Sequence, residues 1–591
     1  MISLLWFIII TLIAYGLGRL LLGLFMEKST PWEEFPFAVG IGLALLGYMV
    51  YAIGSAGLLY LKYIVIMLLI SGIVAMPGIY RFISSFRIKD IIKTITALSS
   101  FEKFLLAVIS SIFIISIFGA MAPAIGNDTL AYHFQHPKIF IQEHRIGYIP
   151  FTRESMWPYL MEMLFTLGLI LKSAAVAKML HLIFGVLTAL AVFSFTSRFF
   201  SKKYALLAAT LFYSAPGIFM QSTYAYTDLA TCFYSFSGLY CLLLWLQKER
   251  MRLLLLSGIF IGLIFSIKIL GIMALMASVS VILYASIGKK RSLRVSAGNL
   301  SILCVSALLV SCIWYIRSYV VLGNPVYPFL YSIFKSGWEV DISKYVYASS
   351  RGVVEFLRLP WDIVMNIDNF GGEQIGVIFL AFLPVLFFLN FKDKVLRPLL
   401  IFLAVYTVAW YCVTPTIRFA FVNYALIYIF IAIGFYKATE KYRLSILKLL
   451  LCLCILFNLS LCIYYNRDAI KLQLTAMTEE EYLLQNERTY AIAKFVNKNL
   501  PSNSVLIAAE PRLYYFDRKV IAYKMLYRFY GKNLSDYIYK LRRDKIPVYF
   551  LCSSNSDCKG IEPFIKDKVP VYKVSSKIQT DERVDYRLYK L

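Results

Sequence analysis

The sequence predicts an all-α polytopic membrane bundle of about fourteen spans, followed by a small extracytoplasmic α/β domain. Three observations carry this. The 591 residues are 60% hydrophobic and only 16% charged, with a mean hydropathy of +0.70, whereas soluble domains are about 45–50% apolar and about 25% charged. Windows of roughly 17–25 apolar residues recur, each able to cross about 30 Å of hydrocarbon. Beyond about residue 466 the sequence turns polar, and the pattern becomes one of short strands and helices.

The expected spans lie at 2–26, 34–59, 61–80, 103–122, 174–197, 204–220, 222–246, 253–267, 269–287, 297–321, 374–391, 397–413, 418–437 and 445–465. The first lacks a basic leader and a small-residue cleavage site, so it reads as a retained helix rather than a signal peptide. Alternate loops are basic: Arg81/Arg87/Lys89/Lys93/Lys103, Arg198/Lys202/Lys203, Lys248/Arg250/Arg252, Lys289/Lys290/Arg291/Arg294, Lys392/Lys394/Arg397 and Lys437/Lys441/Arg443/Lys448. That side is expected to be cytoplasmic. The formal charge of +26 is thereby a topology signal and not a nucleic-acid footprint. The loop at 27–33 departs from the pattern, since Glu27 offsets Lys28 and Glu33 and Glu34 follow. The apolar stretch 157–171 is short and opens on Trp-Pro, so it is expected to lie on or dip into the outer face. On this orientation the loops 123–157 and 322–373, the corner at 222–228 and everything after 466 lie outside the cytoplasm. The chain divides into an N-terminal membrane extension (1–102), a membrane core (103–465) and an outer domain (466–591). In the last, strands are expected at 504–509, 547–551 and 586–591 and helices at 479–499 and 533–543. Cys552 and Cys558 flank a polar loop and suit a disulfide if exported. The other cysteines show no CxxC spacing.

The loop 123–158 concentrates titratable groups at one face, with three of the four histidines (His133, His136, His144) close to Asp128. Asn127 or Asp128 suits the N-cap of a helix running through Tyr132 to Phe140. The functional reading makes Asp128 a general base at the membrane surface. His133 and His136, three apart, would share a helix face, and a metal site there would need Asp128, Glu143 or Glu162 as a third ligand. Local hydrogen bonding is the simpler reading of the pair. Asp228 heads a span, where an intramembrane acid is a functional candidate or the partner of a nearby base. Lys268 interrupts about 30 apolar residues and either snorkels or binds an anion. Arg317 and Arg418 sit at outer helix ends and need partners, for which a lipid phosphate suits. Gly323-Asn324-Pro325-Val326-Tyr327-Pro328 forms a rigid turn. The acids and aromatics beyond it (Trp338, Glu339, Asp341, Trp361, Asp362, Asp368, Glu373) are either solvated or line a sugar cleft.

In this order, these segments resemble the GT-C-fold glycosyltransferases, among them the protein O-mannosyltransferases and the aminoarabinose transferases of lipid A. The resemblance covers about 103–465 and is sharpest at Asn127-Asp128-x3-Tyr132-His133-x3-Pro137-Lys138. Pro158 with Glu162, Thr227-Asp228, Lys268-x2-Gly271, Trp314-x2-Arg317 and Arg418-Phe419 extend it. The resemblance implies that Asp128 is the catalytic base, with Asn127, Tyr132, His133, His136, Glu162 and Asp228 in support. It also implies that Lys268, Arg317 and Arg418 hold the phosphate of a polyprenyl-phosphate sugar. Many family members carry a second acid beside the loop aspartate. Here Thr129 takes that place, so the expected enzyme is metal-independent, with no cofactor; direct displacement with a single base makes it inverting. Its expected partners are the lipid-linked donor, an acceptor glycan, lipid or protein, and the cytoplasmic membrane itself, with no nucleic acid. A transporter or lipid flippase is the rival reading, but the charges gather at one face rather than near the midplane. A membrane scaffold presenting the outer domain would leave the acid-and-histidine loop unexplained.

Overall fold

The computed structural model describes residues 2–591 apart from 27–29, 86, 151, 335–351, 443–444, 531–533, 555–560, 566–567 and 578–582. Trp338, Glu339, Asp341 and Cys558 lie outside the described residues, and so does any Cys552–Cys558 bridge.

The helices run α1 Ile2–Leu22, α2 Pro31–Ser55, α3 Leu61–Ser85, α4 Ile88–Thr96, α5 Ser100–Met121, α6 Gln135–Gln142, α7 Leu160–Ile170 and α8 Ala174–Phe199. Next come α9 Lys202–Tyr213, α10 Pro216–Gln221, α11 Asp228–Lys248, α12 Met251–Phe265, α13 Gly271–Gly288 and α14 Leu293–Leu322. The bundle closes with α15 Tyr331–Phe334, α16 Val353–Met365, α17 Val377–Phe382, α18 Leu396–Val413, α19 Phe421–Tyr442 and α20 Ser445–Tyr465. Among the described residues, eleven helices are long and apolar enough to cross a membrane, and the protein is a multi-pass membrane protein. Three of the fourteen expected spans are shorter. The 204–220 run is broken between α9 and α10, where Pro216 starts a new helix and disfavours helical backbone at the residue before it. At 253–267, α12 has 15 residues. The 374–391 run is α17 followed by a tighter 3₁₀ turn, Leu383–Phe388, which rises further per residue. Short as α12 is, Lys268, just past its end, meets Asp228 at the start of α11.

The basic loops converge on one end of the bundle. Lys203 pairs with Glu440, and Lys289 and Arg291 both reach Glu249. Arg198 meets the buried Glu33 at 2.6 Å, and Arg19 meets Glu34 at 2.8 Å. Glu33 and Glu34 are therefore neutralised by cations of the same face. The stretch 157–171 is not a crossing, as expected. Its helix, α7, is too short to cross but is buried almost throughout, packed on α2 and α8 rather than lying at a surface. Apart from Glu162 and Thr166 its residues are apolar on all sides, which suits an interior position.

After α20 the chain forms α21 Arg467–Leu474, α22 Glu479–Asn486 and α23 Tyr490–Asn499, then β1 Val505–Ala508, β2 Lys519–Ala522, α24 Tyr523–Tyr530, α25 Leu534–Arg543 and β3 Val548–Ser553. A short α26 Glu562–Ile565 precedes β4 Tyr572–Lys577 and β5 Arg583–Lys590. The five strands order as β2-β1-β3-β5-β4. β1 pairs in parallel with β2 and β3, while β5 is antiparallel to both β3 and β4. The single helix expected over 479–499 is two, because Glu487 turns back to accept from the Thr489 N–H and hydroxyl. β2 and β4 escaped the sequence reading. Both are edge strands, and β2 has only four residues.

Candidate active site

The loop leaving α5 is anchored by a buried lysine. Lys178 Nζ donates to Gly119 O and Ala122 O, both at 2.8 Å, satisfying carbonyls left open at the end of α5. The loop then makes a π-helical turn, Thr129–His133, that leads into α6. Asp128 stands at the N-cap position of that turn, but its side chain makes no capping bond. Its carboxylate is turned to Arg418, whose Nη2 donates to Oδ2 at 2.9 Å. An ion pair in a partly dehydrated site outweighs a cap worth about 1 kcal/mol. The other oxygen, Oδ1, accepts from Asn127 Nδ2 at 3.3 Å.

Arg418 organises the site. Besides Asp128 it faces Asp228, 3.9 Å from Nε, and Glu373, 3.7 Å from Nε. Its guanidinium also lies over the Tyr226 and Phe419 rings. Lys268 Nζ donates to Asp228 Oδ1 at 2.6 Å and lies 4.5 Å from the centre of the Phe419 ring. Two cations thus face three carboxyls. Burial alone would raise the pKa of Asp128, but Arg418, with His133 and Lys268 beyond it, holds the carboxyl below the usual range. Glu373 goes the other way. Burial pushes it up to about 7, opposed by Arg418 and reinforced by the charges of Asp228 and Asp128. One of its oxygens is buried without a hydrogen-bond partner among the described residues. Among the described residues no three or more His, Cys, Asp or Glu side chains are arranged to hold a metal ion; the positive charge among the acids is that of Arg418 and Lys268.

Asp128, Lys268 and Arg418 open on a cavity of about 400 Å³. Tyr132, Arg153, Trp157, Trp314, Tyr315 and Phe419 line it, together with Pro325, Tyr327, Pro328 and Phe329. The Asn-Pro turn is therefore a wall of this cavity. Asn324 is fully buried, accepts from Val326 N and donates to Phe329 O, both at 2.9 Å. Gly323 lets α14 end there, at a left-handed φ of 71°.

The structure separates the other expected residues. His133 Nδ1 bonds Glu162 Oε1 at 2.7 Å, and both are buried. His136 Nδ1 bonds the Tyr159 hydroxyl at 2.6 Å, which itself donates to Glu154 O. Burial pushes His136 down to about 3, with the charges of His133 and Arg317 adding to it, so it is neutral at any physiological pH. The two histidines have different partners and do not converge on a shared ligand. His144 stacks on Tyr60, away from the cavity. Arg317 does not line the cavity. Its Nη2 donates to Gly147 O and Ser155 O at 3.1 Å, tying the loop instead. Glu373 was legible only as one loop acid among several. The signal that could have raised it is the Gly371-Gly372 pair before it, both at positive φ, which folds the loop back onto Arg418.

Residues 155–316 match the family model of dolichyl-phosphate-mannose-protein mannosyltransferase. No curated protein matches the chain by sequence. Among solved structures, ArnT from Cupriavidus metallidurans bound to undecaprenyl phosphate is similar at a TM-score of 0.55 and 13% identity, over 82% of this chain and 97% of that one. Its apo form gives 0.54 and 12%, over 83% and 98%. The Archaeoglobus fulgidus oligosaccharyltransferase in complex with Zn and sulfate gives 0.49 and 17%, over 75% and 67%. The resemblance read from the loops and intramembrane charges holds at the level of architecture: the chain has the fold of the GT-C membrane glycosyltransferases.

Proposed function

We propose that the protein transfers a sugar from a polyprenyl-phosphate-linked donor to an acceptor at the outer face of the cytoplasmic membrane. The observation that carries this reading is the convergence of Asp128, Lys268 and Arg418 on one aromatic-walled cavity. The matched mannosyltransferase model and the ArnT structure bound to undecaprenyl phosphate support the same chemistry.

The reaction is a direct displacement. An acceptor O–H or N–H loses its proton to Asp128 as the acceptor atom bonds the anomeric carbon. The bond from that carbon to the phosphate oxygen breaks, its electron pair leaving with the polyprenyl phosphate. One base suffices, no covalent intermediate forms, and the anomeric configuration inverts. The ionised state of Asp128, secured by Arg418, keeps it available as a proton acceptor at neutral pH. When it takes the proton its charge disappears, and Arg418 turns wholly to the phosphate as negative charge develops there. The stabilisation by Arg418 and Lys268 is thus stronger in the transition state than in the ground state, which is the condition for rate acceleration. In this reading the enzyme needs no metal, because Arg418 and Lys268 supply the positive charge among the acids. Arg317 is left out of phosphate binding and holds the 147–155 loop. Tyr132 lines the cavity beside Asp128, while the His133–Glu162 pair and His136 with Tyr159 brace the loop from behind.

The test is Asp128→Asn in cells deleted for the native chain, read by mass spectrometry of glycans and glycoproteins. The expected outcome is loss of the transferred sugar, a fall of about 10²–10⁴-fold, with the variant still monodisperse in detergent. Wild-type glycans in that variant would remove Asp128 from the mechanism.

A further inference from the structure

We infer that the outer domain is a working part of the site proposed above: its β1–β2 loop orients the Asp128 carboxylate through a relay from Arg512 to Asn127. The inference rests on Asp128 being the base. Arg512 Nε donates to Asn127 Oδ1 at 3.0 Å, and Asn127 Nδ2 donates to Asp128 Oδ1 at 3.3 Å. Arginine can only donate and an ionised carboxylate can only accept, so the amide between them has one allowed orientation. With Arg418 on the opposite oxygen, both ends of the carboxylate are held.

The rest of the loop grips the same few residues. Leu513 and Tyr514 N–H groups both donate to Leu130 O at 3.2 Å, two residues after Asp128. The Tyr515 hydroxyl donates to Ala124 O at 2.7 Å, four residues before it. From the membrane side Lys138 Nζ donates to Tyr514 O and Phe516 O, both at 2.9 Å. Contacts therefore bracket Asp128 on both sides in sequence. Arg512 is itself fixed: its Nη1 meets the buried Glu487 at 3.0 Å, and Glu487 is held by Thr489. The loop leaves the carboxyl end of β1, the edge at which open α/β sheets place functional loops. Here that edge faces the membrane core. Arg512 is a positioning residue, acting through Asn127.

The test uses the full-length protein. Glycans restored to deletion cells report transfer, and quenching of Trp157 and Trp314 fluorescence by undecaprenyl phosphate reports binding to the cavity they line. Asn127→Leu and Arg512→Ala are each expected to cut transfer about 10- to 100-fold, the scale of a misplaced reacting group. Binding of undecaprenyl phosphate is expected to stay within about twofold, since Lys268 and Arg418 are untouched. The double variant is expected to be no worse than the worse single one, as for two members of one relay. Asn127→Leu leaves the outer domain intact, so it carries the test if Arg512→Ala unfolds that domain around the unpaired Glu487. Wild-type transfer in Asn127→Leu, or losses that multiply in the double variant, overturns the relay. If Asp128→Asn abolishes transfer while these variants transfer normally, only the relay fails. If Asp128→Asn also transfers normally, the reading of the site fails with it.

Discussion

Asp128, Arg418 and Glu373 show how one guanidinium assigns different states to carboxyls that look alike in sequence. Asp128 receives a charged hydrogen bond and stays ionised, whereas Glu373, more weakly paired and buried, is pushed up to about 7. The stability linkage follows. Its folded pKa lies above the ordinary value of 4.5, so the proton on Glu373 stabilises the fold fully below that value, and the contribution is lost as pH rises through about 7. Glu373→Gln, which keeps the neutral shape at every pH, is therefore expected to melt like wild type near pH 4.5 and progressively higher than wild type towards alkaline pH. Thermal shift in detergent across that window measures it, and a difference independent of pH would contradict it. Asp128 has the opposite sign: its folded pKa is lowered from 3.8, so its contribution is present above that value and is lost as pH falls below it.

Helix packing decides where those residues meet. α1 and α2 cross through small residues. A Cβ on Gly42 would come within 1.8 Å of Ala14 O, and one on Gly18 within 1.8 Å of Ala38 O. Close backbone approach through small residues is the packing that lipid surroundings favour. It lets α2 reach the interior, where Tyr234 of α11 donates to Gly40 O and Tyr240 to Glu33. Gly42→Ile is expected to force the two helices apart and destabilise the protein by about 1–3 kcal/mol. Gly288→Ala is the control, since among the described residues nothing lies within 4 Å of its added carbon. Melting of both variants in the same detergent distinguishes packing from a general intolerance of substitution. At this scale the sequence served well for long, uniformly apolar helices. It did not show the burial of α7, which comes from neighbours on α2 and α8 rather than from any periodicity of its own.

For the whole molecule, the alternation of basic loops is the main guide to orientation. Lys203, Lys289, Arg291 and Arg198 gather at one end, and the Asp128 cavity and outer domain lie at the other. The proposed orientation puts the outer domain in the extracytoplasmic compartment. A phosphatase reporter that folds only outside the cytoplasm, fused after Leu591, is expected to be active, and a fluorescent protein that matures only inside is expected to be dark. The reverse result would turn the molecule over and place the candidate site on the cytosolic side.

Composition and hydropathy alone determined that the chain is a membrane bundle with a polar α/β appendage. Burial of apolar surface is additive along a chain and needs no knowledge of contacts. The candidate residues Asp128, Asp228, Lys268 and Arg418 were legible for a related reason: a charge among apolar residues is costly and so stands out singly. Their assembly was not legible, because ion pairs across hundreds of residues depend on which helix ends coincide. Only tertiary structure brought Glu373 to Arg418, withdrew Arg317 into the loop, split His133 from His136 and set Arg512 beside Asn127.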